Sequence, residues 1–577
     1  MITTPKAKLL CLAACLVWAL PLAAEQPPRA ELITAHRIGT TPPMANYLAT
    51  HHPAPNAPLR VFPLRKPGSH PGKGGNNGGN GGGSSYSDKV LQTNDNALGQ
   101  NYSASAGFDG LTSVGYVPPD TNISVGMYQP SGGTTETQIV ETVNVELAVY
   151  DTSGSLLMGP APINSIFTAA GGASSTCASA NGGDPIVLFD KIDQRWIISQ
   201  LAYNMSFTQN HLCMAISNTA DATGKYTAFD VPFGKNLPDY PKLGIWTNGN
   251  GANGTTWNNT TAEAGVYFSA NIFARGSKFI GAQMCSFPLS DVPLASTLQS
   301  IPWACVQNGT GVYNILPADL EGSPALNTPT STNTTLPPPP NTAEYFMQFT
   351  GSGNLALYQF TPNYSNQTGS VSGPANIAVA PFQEACGGGS CIPQFGTSTQ
   401  LDSLADRLMY RLSYRNYGGT TGQSLAVTHS VLNDSTSGTV GVRWYQLTNS
   451  SGTWNVQQGT FGPVGIASSY RWMGSIAQDK AGDLGIGYSV SSPSLFPGLA
   501  VTGRAVGDTA NELEPETFYN IGKGYQSSVN RWGDYSSMSV DPVDDCTMYY
   551  ANEYLTSSGS YTNWGTWITS MKFNSCN

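Results

Sequence analysis

The chain has 577 residues, of which only 11 % are charged, against roughly 25 % in an ordinary soluble domain, and its formal net charge is −10. Its 64 glycines, 40 prolines and 10 % aromatic residues exclude a coiled coil or a helical repeat array, which need Ala, Glu, Lys and Leu in quantity. The 40 % hydrophobic content excludes a wholly disordered chain, and the acidic balance argues against nucleic acid, whose phosphates would repel it.

At the N-terminus Lys6 and Lys8 precede an apolar run from Leu9 to Leu20 and then Pro21-Leu22-Ala23-Ala24. This is the pattern of a secretory signal peptide over 1–24, cut after Ala24. A lipobox at Leu12-Ala13-Ala14-Cys15 is the competing reading, but it leaves too short an apolar region before the cysteine. No later stretch approaches the ~20 apolar residues of a membrane span, so the chain is expected outside the cytoplasm, secreted or periplasmic, without a span. Residues 25–85 form a Pro-rich arm ending in a Gly/Asn-rich linker and are expected to be disordered. Arg29, Arg37, Arg60, Arg65, Lys66 and Lys73 make this arm basic, whereas the body, 86–577, is acidic. A cleaved pro-segment, a surface tether, a partner of the body and a plain spacer are all compatible with that contrast; the spacer is the simplest.

Cys11 and Cys15 leave with the signal, and eight cysteines remain. An even number in an exported chain reads as disulfides rather than a metal site, because no C-x-x-C pair and almost no histidine accompanies them. Proximity suggests Cys177 with Cys213, Cys285 with Cys305, Cys386 with Cys391 and Cys546 with Cys576; spacing alone leaves the connectivity open.

From about residue 110 the pattern becomes short strands separated by Asp/Gly turns, such as Asp190-Lys191-Ile192-Asp193, Asp479 to Asp483 and Asp541 to Asp545. The dipeptide Arg-Trp recurs at Arg195, Arg443, Arg471 and Arg531, and the last two are 60 residues apart. A period of that size, made only of strands and turns, predicts an all-β body: a β-propeller of about seven four-stranded blades. The blades are expected to begin near residues 115, 180, 236, 340, 400, 465 and 526, with a Thr/Asn/Pro-rich insertion near 296–340. A pair of β-sandwiches is the competitor, disfavoured because no second linker interrupts the body. In a ring the last strand can close against the first blade.

Four segments carry a resemblance: Pro118 to Asn122, Asp239 to Gly244, Asp406 to Leu412 and Arg531 to Met538. Over about residues 115–560 the chain resembles a largely uncharacterised family of exported bacterial proteins, which implies a propeller body and no particular activity. More distantly the layout resembles sialidase-type propellers, although only degenerate ends such as Ser451-Gly452-Thr453-Trp454 stand in for their S-x-D-x-G-x-T-W box.

Histidine is scarce in the body, where only His211 and His429 remain, and neither has a G-x-S-x-G motif beside it. His429 sits in an apolar strand and reads as a buried, hydrogen-bonded core residue. Arginine carries more signal. Neighbouring strand residues point to opposite faces, so a Trp packed between blades turns its Arg partner away. Arg407, Arg471 and Arg531, with Trp532 beside them, are therefore candidates to converge on an anionic substrate group near the mouth of a central channel, as in sialidase-like propellers. Otherwise each arginine caps turn carbonyls or pairs with its own blade's Asp. Asp534 as acid, Tyr535 as nucleophile and Glu553 as base would complete a retaining glycosidase. Asp120, Asp184 and Asp239 each neighbour a proline, which suits either a repeated turn or a ring of acids lining a pocket. Asp541, Asp544 and Asp545 read as turn formers, with structural Ca²⁺ as the alternative; no other cofactor is expected.

These readings predict a secreted propeller that binds, and in the stronger form hydrolyses, extracellular polysaccharide or glycoconjugate. A non-catalytic cell-surface or matrix scaffold is the alternative, and a peptidase-like hydrolase a third. A body poor in ion pairs would depend on disulfides, turn hydrogen bonds and aromatic packing, which survive acid better than carboxylate salt bridges. Its melting temperature, measured across pH 3 to 7, is accordingly expected to hold at the acid end.

Overall fold

Segments such as Asn122–Tyr128 and Tyr470–Gln478 are apolar or small at nearly every position rather than alternating, the pattern of strands covered on both faces. A computed structural model bears this out and is all-β. Its described residues are Met1, 32–51, 60–67, 85–92, 98–250, 256–258, 260–322, 336–462, 469–519, 521–559 and 563–577. The expected signal peptide beyond Met1, and residues 68–84 of the linker, lie outside them.

The strands that open successive antiparallel runs are β1 (Asn122–Tyr128), β2 (Gly183–Asp190), β3 (Asn236–Trp246), β4 (Leu316–Leu320), β5 (Met409–Asn416), β6 (Tyr470–Gln478) and β7 (Ser537–Val540). From each, the following strands pair side by side and antiparallel, as Glu136–Thr142, Glu146–Tyr150 and Leu156–Pro162 do after β1. Each opening strand lies against the next, and β7 lies against β1. Short side chains tie them together: Ser124 Oγ accepts from Phe189 N–H at 3.0 Å, Ser475 Oγ accepts from Met538 N–H at 3.0 Å, and Ser537 Oγ donates to Ile123 O at 3.1 Å. The last strand, Trp564–Phe573, pairs with Tyr102–Ala104 and Phe108–Thr112, so the start of the body closes against its end.

Between neighbouring runs the faces interdigitate. A methyl group on Gly126 would collide with Trp196 and Phe189, and one on Gly487 with the Tyr550 ring. Trp444 packs in a buried cluster with Ile476 and Ile486, and Trp472 lies 5.6 Å from Trp532. The Arg-Trp dipeptides do not mark equivalent positions. Arg195 starts the second strand of its run, Arg443 lies on a third strand and Arg471 on an opening strand, while Arg531 precedes one.

Three expectations are corrected. The segment 296–340 is not simply an insertion: Ser300–Gln307 closes one run and Leu316–Leu320 opens the next, while 323–335 lie outside the described residues. The Thr, Asn and Pro content hid two short strands, so the fourth unit begins near 316 rather than 340. Nor is all of the arm a spacer. Ile33–Thr40 pairs with Tyr226–Gly234 on one side and Ser300–Gln307 on the other, joining two runs through their outer edges. Farther on, Leu91–Gln92 extends another sheet, where Asp88 forms a fully buried ion pair with Arg443 at 2.6 Å. Finally, the body is not poor in ion pairs; its few charges are concentrated in buried ones. The four disulfides join the cysteines that proximity suggested.

Arg411 holds the middle. It pairs with Asp319 at 2.5 Å and donates to Ile123 O at 2.6 Å and Val187 O at 3.3 Å, so one guanidinium on β5 binds β4, β1 and β2. Removing one partner of a buried pair strands the other charge, at a cost of about 3–5 kcal/mol. Arg411→Ala is therefore expected to lower stability by that amount in chemical denaturation, against less than about 0.5 kcal/mol for an exposed surface substitution.

Candidate functional site

The chain enters several opening strands through a left-handed residue that is not glycine: Asp120 (φ 49°), Asp184 (φ 51°), Tyr240 (φ 57°) and Met473 (φ 52°). Strand register breaks at the same level, between Gly183 and Ile186, between Asp239 and Lys242, and between Trp472 and Ser475. Such conformations cost on the order of 1–3 kcal/mol each and persist only where surrounding structure enforces them. Here they bring Asp120, Asp184 and Asp239 into one electrostatically interacting group with Asp534. The proline-flanked acids thus share a face.

A pocket at this end is lined by Asp184, Asp239, Tyr203, Tyr240, Arg407, Arg531 and Asp534, together with Phe62 to Arg65 of the arm. Its charges are matched in pairs. Arg407 makes two hydrogen bonds to Asp406, at 2.8 and 3.1 Å, and lies 4.5 Å above the Tyr240 ring. Arg531 pairs with Asp534 at 2.7 Å. Arg65 pairs with Asp239 at 2.9 Å. Asp184 accepts from Tyr240 N–H at 3.1 Å, and Asp120 accepts from Asn144 Nδ2 at 2.7 Å and Asp534 N–H at 2.6 Å.

Burial and like charge set the protonation states. Burial, then the neighbouring Asp239 and Asp534, pushes Asp184 up to about 7. The same causes, burial and then Asp534 and Asp184, hold Asp120 well above the usual carboxylate range. Asp406 goes the other way: burial opposes its charge, but Arg407 outweighs that and lowers it. Beneath the pocket Lys242 is fully buried, with Nζ 3.4 Å from the centre of the Tyr240 ring and 3.8 Å from that of Tyr535. It donates to Pro241 O at 2.8 Å, and burial brings it down to about 7.

Of the residues proposed from sequence, Arg407, Arg531 and Asp534 come together. Tyr535 lies behind them, 5.7 Å from Tyr240 and 1 % exposed, its hydroxyl without a hydrogen-bond partner among the described residues. Glu553 is buried under the chain and accepts from Gly533 N–H; it does not meet Tyr535 as a nucleophile and base pair would require. Arg471 stands apart, with its guanidinium on Glu516 at 2.5 Å and on Ser469 at 2.7 Å. Trp532 is fully buried, and its indole N–H donates to Ser489 Oγ at 3.0 Å, so no face is open to a ligand. For Arg471 and Trp532 the structural alternative is the one seen, because Glu516, Ser469 and Ser489 lie outside the pocket lining; Arg407 and Arg531 also pair with carboxylates of their own segments, Asp406 and Asp534, but do so at the pocket. Lys242, Tyr240 and Arg65 were missed. A lysine inside the apolar Leu237–Trp246 stretch was the one available signal; Arg65 gave none, being remote in sequence.

The remaining candidates are structural. His429 is fully buried with Nε2 2.9 Å from the Tyr445 hydroxyl, and His211 pairs with Asp230 at 2.6 Å. Asp541 accepts from Val543 N–H and Thr137 Oγ1, Asp544 from Cys546 and Thr547 N–H, and Asp545 holds Arg415 with both oxygens, at 2.7 and 2.8 Å. Among the described residues no group of three ligating side chains is poised for a metal.

No known protein family and no curated protein matches the sequence. Among solved structures, a protein of unknown function from Dyadobacter fermentans DSM 18053 aligns over 85 % of this chain and 99 % of its own, at 9 % identity and a TM-score of 0.30. The GH93 α-L-arabinofuranosidase of Fusarium graminearum, solved with arabinobiose, aligns over 85 % and 98 % at 8 % identity and a TM-score of 0.28.

A carboxyl whose folded value lies near 7 holds a proton between there and its ordinary 3.8 that the unfolded chain has lost. Asp184 therefore adds stability as pH falls through that window, as do Glu141 and Asp190, also pushed up to about 7 by burial. Asp406, lowered, loses its contribution only as pH falls below 3.8. The melting temperature is expected to rise from pH 7 to about pH 4 and to fall below it, and Asp184→Asn should flatten part of that rise.

Proposed function

We propose that this chain is an exported β-propeller of seven four-stranded blades, and that its pocket binds extracellular polysaccharide or glycoconjugate and hydrolyses glycosidic bonds. Successive antiparallel runs whose opening strands neighbour one another in order, with β7 against β1, support the architecture. Four disulfides suit an oxidising compartment outside the cytoplasm.

The observation that carries the activity is the pairing of unlike carboxyls in one pocket. Burial and its acidic neighbours push Asp184 up to about 7, and across the same pocket Asp534 is ion-paired with Arg531 at 2.7 Å. Glycosidic hydrolysis needs that division, one carboxylic acid to protonate the leaving oxygen and one carboxylate on the other side of the reaction centre. In this reading Asp184 gives its proton to the glycosidic oxygen as the bond to the anomeric carbon breaks. Asp534 takes a proton from the water that attacks that carbon. Proton exchange with solvent then restores both groups. The acid is thus Asp184 rather than Asp534, and Tyr535 and Glu553 support the pocket from behind. Arg407, Arg531 and Arg65 are each matched to a carboxylate, so the pocket has no surplus of positive charge and suits a neutral glycan better than an acidic one.

A hydrolysis and binding screen on neutral and acidic oligosaccharides tests this. It is run on the natural sequence and on a chain carrying Phe62→Ala and Arg65→Ala, since both side chains stand in the pocket. Hydrolysis of a neutral glycan is expected, reduced about 10²–10⁴-fold by Asp184→Asn with binding retained. Absence of both hydrolysis and glycan binding in either chain would leave the scaffold reading in its place.

A further inference from the structure

The pocket is occupied by the protein's own arm. Residues 60–67, Arg-Val-Phe-Pro-Leu-Arg-Lys-Pro, cross it as a strap: Arg60–Val61 pairs in parallel with Tyr116–Val117, and Phe62 N–H donates to Val117 O at 2.8 Å. Phe62, 5 % exposed, stacks on Tyr116 at 5.7 Å. Arg531 Nε donates to Phe62 O at 3.3 Å, so a pocket arginine grips the strap backbone. Beyond this point Arg65 pairs with Asp239, donates to Gly276 O at 3.3 Å and lies 4.9 Å over Phe207, and Lys66 donates to Gly388 O. With the strap in place the space left is about 10 Å³, close to what one water molecule needs.

The route explains why the strap lies here. Met44–Thr50 sits beside the first run, near Leu156–Pro162, while Asp88 and Leu91–Gln92 are anchored on the run opened by β5. Between these anchors in the sequence, residues 60–67 lie across the strand ends that carry the pocket. Packing alone would favour an apolar crossing. Instead a guanidinium is delivered to Asp239, a carboxylate that burial holds above its usual range.

We infer that residues 60–67 are a resident occluding ligand of this pocket, held at a cation-accepting subsite formed by Asp239, and that the site is latent until the strap is displaced. The regulatory part of this inference rests on the glycan reading; the occupancy does not. Its physical basis is effective concentration: a tethered segment competes with any free ligand as though present at about millimolar level. Loss of Arg65 removes the ion pair on Asp239, leaving only the more distant Arg407 to favour its charge, and removes the strap's charged anchor, whereas Arg65→Lys keeps a cation there.

The test uses the full chain and a synthetic peptide of residues 60–67. In the Phe62→Ala, Arg65→Ala chain the peptide is expected to bind in trans at least about 10-fold more tightly than to the natural chain, whose own strap competes. A peptide with alanine in place of Arg65 should bind about 10-fold more weakly than the natural peptide, and adding Asp239→Asn to the chain should erase that difference. Hydrogen exchange at the Asp184, Tyr240 and Asp534 amides should quicken in the double variant, slow again on addition of peptide, and stay at the natural rate in Arg65→Lys. An unchanged melting profile outside these segments establishes that the variant is folded. Equal binding of the two peptides, or no binding to the opened chain, overturns the inference. Glycan hydrolysis is scored separately: activity greater in the opened chain supports latency, equal activity in natural and opened chains refutes it, and absence of both hydrolysis and glycan binding in either refutes the glycan reading while the peptide result stands by itself.

Discussion

The constraint the described structure turns on is the pairing of buried charge where the opening strands converge, with Arg411 on Asp319 at its centre. Opening strands that neighbour one another in a ring bring their inward side chains within reach across the middle, and among those side chains are Arg411, Asp319 and Lys242. An isolated charge there would be prohibitively costly, so each must find a partner with fixed geometry. Arg411 does so by reaching Asp319 and two carbonyls on other strands, which converts a desolvation penalty into a cross-link between four strands. The lateral packing of the sheets, with indoles such as Trp444 and Trp472 between faces and glycines where rings approach, then positions the strands that Arg411 joins.

The pocket follows from the same convergence at one end of the strands. Left-handed starts at Asp120, Asp184 and Tyr240 turn polar groups toward one another before the strands straighten. Crowded carboxyls cannot all ionise in such a place, and the arginines beside them in the chain, Arg407 next to Asp406 and Arg531 near Asp534, bias which do. Asp406 is favoured as a carboxylate by Arg407, and Asp184, with no guanidinium among the described residues hydrogen-bonded to it, is pushed up to about 7 by burial and its acidic neighbours. Lys242 sits beneath this group between two phenol rings, supplying positive potential without reaching the pocket surface. Structural strain, ion pairing and acid-base division are therefore one arrangement seen at three levels.

The arm extends that arrangement. Its strand Ile33–Thr40 joins two runs and its crossing at 60–67 closes the pocket, while just after it Asp88, at the start of the body, completes the buried pair with Arg443. Stabilisation of the ring and occlusion of its charged end are thus carried by one continuous stretch of chain, and its basic composition matters because Arg65 lands on an acid.

By itself the sequence determined what local chemistry can determine: an all-β chain with turns formed by Asp bonding its own backbone, disulfides between neighbours in sequence, and strands starting close to residues 180, 236 and 465. Hydrophobic pattern and turn residues are short-range signals, and they are strong when each strand is buried on both faces. Where composition misled, as over 296–340, polar and proline-rich residues concealed strands whose burial comes from neighbouring sheets. The proline-flanked Asp120, Asp184 and Asp239 were legible as a repeated feature; Arg407 and Arg531 were named with Arg471 on an argument from alternation within strands, but Arg407 and Arg531 lie before opening strands. Which arginines reach the pocket was settled only in three dimensions, since Arg471 meets Glu516 away from the pocket lining while Arg531 meets Asp534 at the pocket. Lys242 between two tyrosines, and Arg65 on Asp239, arise from contacts between segments distant in the chain, where sequence spacing carries no information about partner or charge state; only tertiary packing brings those groups together and fixes which of them stay ionised.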